Sequence, residues 1–115
     1  MKTSIVIRGN DSGYTQKVID SVRKWYDGEV ILSSWLNHDT TNLKGLTHVI
    51  LNEDPGPGPA YDTKGKHVQN TYRQLTAGFE GIRIASGDVV LVLRSDTTMN
   101  QNPFKFFNIR FFISI

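Results

Sequence analysis

Asp96 follows Arg94 and Ser95 just beyond the most apolar stretch of the chain, Asp88 to Leu93. A carboxylate set past the end of a buried strand is held rigidly and faces solvent. It can ligate a hard divalent cation, which in turn neutralises a diphosphate leaving group. The same aspartate can instead cap a turn through Thr97 and Thr98. Asn70 and Arg73 lie three positions apart and share one helix face, and with Lys66 and His67 they make that segment basic. An arginine fork suits phosphate or carboxylate, or an ion pair with an acid such as Glu80 or Asp88. Trp35 offers a surface for stacking on a base or sugar, or for partly buried packing. Asp54-Pro55-Gly56 opens a proline-rich loop that serves as a lid or as a rigid connection. His38, His48 and His67 show no metal-ligand spacing and are assigned no role. P-loop, G-x-G-x-x-G and G-x-S-x-G signatures are absent. The run Gly56-Pro57-Gly58-Pro59 is not a phosphate loop, because proline removes the N–H donors such a loop needs.

The elements that must position these groups alternate between two periods. Thr3 to Arg8 is a β-branched apolar run stopped by Gly9 to Gly13, a buried strand and a turn-rich loop. From Tyr14 onward Val18, Ile19, Val22, Trp25 and Tyr26 fall on one face of a helix, which Thr15 or Ser12 caps and Asp27-Gly28 stops. Glu29 to Ser33 is a second buried strand, and Leu46 to Leu51 a third. A second helix is predicted from about Lys66 to Ala85. Its apolar stripe is Val68, Tyr72, Leu75, Phe79 and Ile82. Gly78 and Gly81 weaken it by roughly 1 kcal/mol each relative to Ala, so a packing reason is expected for them. Asp88 to Leu93 is the fourth strand.

Strands that alternate with helices and read as continuous apolar runs imply an α/β fold with a parallel sheet covered on both faces. In such sheets ligands bind beyond the carboxyl ends of the strands, near the switch in strand order. That rule selects the loops Gly9–Gly13, Ser33–His38, Asn52–Gly65 and Arg94–Thr98. Residues 102–115 hold five phenylalanines and three isoleucines without a clear period, and read as an edge strand, a packing tail or the scar of a truncation.

The 115 residues argue for one core. A composition of 38% hydrophobic and 21% charged residues is that of an ordinary globular protein. A net charge of +2 without a Lys/Arg cluster argues against nucleic acid as partner. The absence of cysteine excludes disulfides, thiolate metal sites and cysteine nucleophiles. The N-terminal apolar run is shorter than the roughly 7–15 residues of a secretory h-region. No stretch approaches the roughly 20 apolar residues of a membrane span. A cytoplasmic protein is the expectation.

The stretch Ala85 to Asp96 resembles the strand that carries the D-x-D motif of GT-A glycosyltransferases. A closer resemblance is to the WavE-like family associated with lipopolysaccharide core synthesis. It is carried by Ile31 to Trp35, Asp54-Pro55-Gly56, Asn70 to Gln74 and Leu93 to Asp96, four segments in the family's order over residues 3–101. The resemblance implies a Rossmann-like, mostly parallel sheet with flanking helices, the nucleotide-binding half of a GT-A fold. That domain would span 1–101, with a Phe-rich tail at 102–115. It further implies a nucleotide-sugar donor and a glycan or lipid-linked acceptor. Carried over, Asp96 would bind a metal–diphosphate (Mn²⁺ or Mg²⁺), Asn70 and Arg73 would help hold the donor, and Ser33 and Trp35 would line the nucleotide pocket.

Two departures follow. Arg94 occupies the first acidic position of D-x-D, where a guanidinium neutralises diphosphate directly and puts the metal in question. GT-A enzymes are also longer, and this sequence has no carboxylate after Asp96 to act as a catalytic base. The expected function is therefore a glycosyltransferase, or its donor-binding portion, in polysaccharide or lipopolysaccharide synthesis. The alternatives are a non-catalytic nucleotide- or glycan-binding remnant, and an interaction module that docks a protein partner or itself through Phe104, Phe106, Phe107, Phe111 and Phe112.

Overall fold

Three of the four predicted strands are apolar on both faces because the sheet they build is covered on both faces. The computed structural model describes residues 2–10, 13–55, 71–106 and 113–114. Strands β1 (Thr3–Arg8), β2 (Glu29–Trp35), β3 (His48–Asn52), β4 (Val89–Arg94) and β5 (Ile113–Ser114) form one parallel sheet in the order β3-β2-β1-β4-β5. Helix α1 (Thr15–Arg23) follows β1, and α2 (Thr71–Ile84) precedes β4. This is the expected Rossmann-like α/β architecture. The chain moves outward from β1 to β2 and β3, then returns to the other side of β1 for β4. The switch in strand order therefore lies between β1 and β4.

The period of two along each strand divides the core. Ile5, Ile7, Val30, Leu32, Leu91 and Leu93 form one layer with Val18, Ile19 and Val22 of α1. Trp25 and Tyr26, beyond the end of α1, pack on the same layer together with Phe104. On the other face Val6, Ile31, Val90 and Val92 meet Ile82 of α2 and Ala85 just past it.

Several expectations need correction. Leu75 and Phe79 are not the buried stripe of α2; each is 64% exposed. The packed face runs through Ala77, Gly78 and Gly81 instead, because bare glycine lets the helix axis come close to the sheet. A Cβ on Gly81 would run into Val6 Cγ1, and one on Gly78 would lie 3.3 Å from Arg8 Cδ. Those contacts are the packing reason both glycines required. Thr15 does not cap α1: the cap position is Tyr14, without a side-chain bond, and the Thr15 hydroxyl is buried without a hydrogen-bond partner. β2 runs two residues further than predicted, through Trp35, because β3 pairs with it as far as Trp35↔Asn52. The start of the second predicted helix, most of the proline-rich loop, Ser12 and most of the aromatic tail lie outside the described residues. Ile113–Ser114 pairs alongside β4, the edge-strand alternative for that segment.

Candidate functional site

At the switch point the ends of β1 and β4 are tied together by short bonds. Ser95 N–H donates to Arg8 C=O at 2.8 Å, and Ser95 Oγ donates to Asn10 C=O at 2.8 Å. Gly9 N–H donates across to Ser33 C=O at 3.1 Å. Gly9 has φ +126°, and a Cβ there would lie 2.7 Å from Ser95 Oγ, so the left-handed turn and the close approach both demand glycine. The backbone on either side of the switch is thereby fixed.

Arg8 and Arg94 are the last residues of their strands and are register partners. In parallel neighbours, registered side chains leave the sheet on the same face. By the period of two this is the Val6 and Val92 face, over which α2 lies. The stem of Arg8 crosses Gly78 of α2 and delivers its guanidinium to a cleft of about 540 Å³. Such a volume is in the range of small-molecule sites. Arg8, Gly9, Asn10, Arg94, Ser95 and Asp96 line it from the switch point, Trp35 from the end of β2, and Asn37, His38 and Asp54 from beyond β2 and β3. Arg73, Gln74 and Ala77 supply the α2 wall.

Charge in this cleft is arranged in pairs. Arg94 Nη2 donates to Asp96 Oδ2 at 2.9 Å, with both side chains about half exposed. Thr97 Oγ1 reaches Asp96 Oδ1 at 3.3 Å. Arg73 Nε donates to Asp54 Oδ1 at 2.8 Å. Among the described residues three guanidiniums thus face two carboxylates. Burial pulls the Arg8 guanidinium below its ordinary pKa, the neighbouring Arg94 charge adds to that, and Asp96 opposes it.

The sequence-predicted residues divide as follows. Trp35, Arg73, Arg94 and Asp96 come together in the cleft. Arg73 pairs with Asp54, not with Glu80, which is bound by Arg83, nor with Asp88. Ser33 does not line the cleft: it is fully buried, and its hydroxyl accepts from Asn52 Nδ2 at 2.8 Å. Asn70 lies outside the described residues. Sequence reasoning missed Arg8 and did not single out Gln74; Asn10 and Asn37 lie in loops it selected without being named, and His38 was given no role. Arg8 had a legible signal, since a charge ending an apolar strand is the same criterion that selected Asp96. The selected loop began one residue too late, at Gly9. For a metal, the described residues contain no group of three His, Asp or Glu side chains placed to hold an ion.

The architecture and cleft define a parallel α/β domain with a polar, arginine-rich site at its topological switch point. Residues 4–112 match the WavE lipopolysaccharide synthesis family, and the chain belongs to that family. Membership associates it with lipopolysaccharide synthesis. Neither the curated proteins nor the solved structures contain a match. Among the described residues no helix is long and apolar enough to cross a membrane.

Proposed function

We propose that the cleft binds the nucleotide-sugar donor of a glycosyl transfer in lipopolysaccharide synthesis, with a glycan or lipid-linked acceptor. The carrying observation is the gathering of Arg8, Arg73 and Arg94 in one cleft at the carboxyl ends of β1 and β4. A nucleoside diphosphate is a dianion or more, and guanidinium forks match its oxygens. Trp35, on the cleft wall and 6% exposed, offers the base or the sugar an apolar face. Fixed positive charge at this place favours departure of the diphosphate, because charge builds on its oxygens as the glycosidic bond breaks. In this reading the enzyme is a glycosyltransferase, and Asp96 orients Arg94 from the cleft floor.

Calorimetric titration with UDP, GDP, CMP and dTDP, with and without Mn²⁺, tests the reading. The expected result is saturable binding with preference among the bases. Gln74→Trp, at an exposed position on the cleft wall, should block it without loss of folding. A folded chain that binds none of these nucleotides in either buffer refutes the proposal.

A further inference from the structure

We infer that Arg8 and Arg94 form a direct clamp for the diphosphate, neutralising it without a protein-held divalent cation. This rests on the donor-binding reading above and names how that site takes its ligand. Four observations carry it. The two arginines end neighbouring strands in register and on one face. Strands in a sheet lie roughly 4.8 Å apart, a separation that two guanidiniums can bridge onto one diphosphate. The backbone beneath them is locked by the Ser95 and Gly9 bonds, so the strand ends that carry the pair are fixed before ligand arrives. The Arg8 stem lies against Gly78 at a position where a larger residue would press on it, so α2 leaves a channel for this side chain. The fourth is the balance of partners. Asp96 is bonded to Arg94, whereas Arg8 makes no hydrogen bond or ion pair through its guanidinium among the described residues.

A half-buried guanidinium beside a second one is an unfavourable arrangement, and a bridging dianion relieves it. Burial and the Arg94 charge lower the pKa of Arg8, and the nearby Asp96 carboxylate opposes them only in part. The donor set is wrong for a cation: arginine stands at position 94, and the Asp96 carboxylate is already engaged by it. In this arrangement Asp96 is a positioning residue for Arg94, not a metal ligand.

The experiment is titration of the full chain with inorganic pyrophosphate and with UDP, in EDTA and then in Mn²⁺. The variants are Arg8→Met, Arg8→Lys and Asp96→Ala, each checked for a wild-type thermal melt. Methionine keeps an apolar stem over Gly78 and removes only the charged fork. The expected result is binding in EDTA, weakened about tenfold or more in Arg8→Met and by less in Arg8→Lys. Asp96→Ala should weaken pyrophosphate binding by less than Arg8→Met does, because Arg94 loses its orienting partner but keeps its charge, and binding should still not need Mn²⁺. Should Arg8→Met fail to fold, Arg8→Lys and the wild-type comparison of EDTA with Mn²⁺ still decide. Binding that requires Mn²⁺, persists in both Arg8 variants, or vanishes in Asp96→Ala overturns the clamp while leaving the donor site standing. Absence of binding in every buffer removes both.

Discussion

Glu29, the first residue of β2, lies at the end of the sheet opposite the cleft and joins three segments. Its carboxylate is 13% exposed. It accepts from Ser4 Oγ at 2.7 Å, from Ser86 N–H at 2.9 Å and from Ser86 Oγ at 3.0 Å, with His48 Nε2 at 3.7 Å. Ser4 Oγ in turn accepts from Gly87 N–H at 2.8 Å, so one carboxylate seats the turn that leads into β4. A hydrogen bond to a charged group contributes roughly 1.5–3 kcal/mol. The Ser86 donors face water and are readily resolvated, whereas Ser4 is fully buried and would keep an unmet donor. Glu29→Ala should therefore cost about 2–3 kcal/mol, less than the sum of three bonds, and lower Tm by on the order of 10 °C.

The pH dependence of that loss has a definite sign. Burial raises the Glu29 pKa, but the bonds from Ser86 and Ser4 and the nearby His48 outweigh it, so the folded value lies below the ordinary 4.5. A depressed carboxylate stabilises the fold above its unfolded pKa, and that contribution disappears as pH falls through the folded value. Urea denaturation of wild type and Glu29→Ala should then show the full gap at about pH 7, narrowing below about pH 4.5. Nucleotide affinity should not change. A gap under about 0.5 kcal/mol at neutral pH, or one that persists on acidification, would refute the reasoning.

The two glycines of α2 should respond in opposite ways. A Cβ at position 81 would press on buried Val6, and this overpacking exceeds the gain in helix propensity. Gly81→Ala should accordingly lower stability in chemical denaturation by about 1 kcal/mol or somewhat more. Gly78→Ala meets only the flexible Arg8 stem. It should leave stability unchanged or raise it by up to about 1 kcal/mol, while weakening pyrophosphate binding by displacing Arg8. The two tryptophans give an optical readout: nucleotide should change the emission of wild type and of Trp25→Phe, and not that of Trp35→Phe. Trp25 serves structure instead, donating from Nε1 to Met99 C=O at 2.7 Å.

β1, α1, β2 and β4 were legible in the sequence because their signals are local. A β-branched run fully buried on both faces, such as Ile5–Val6–Ile7, has few ways to hide from water other than a central parallel strand. The turn-forming Gly9 to Gly13 and the polar residues after Leu93 likewise marked the strand ends, and with them the end of the sheet where a site would form. Asp96, Arg94 and Trp35 could be located by that rule alone.

What the tertiary structure decided depends on segments far apart in sequence. Leu75 and Phe79 obey a helical period as well as any buried stripe does. Only the fit of Gly78 and Gly81 against Arg8 and Val6 determines which face of α2 meets the sheet. Ser33 and Trp35 share one face of β2, yet Asn52 of β3 covers the first and the cleft receives the second. The pairing of Arg73 with Asp54 and the register of Arg8 with Arg94 were likewise beyond sequence. A period says which side of an element a residue takes and not what stands opposite it.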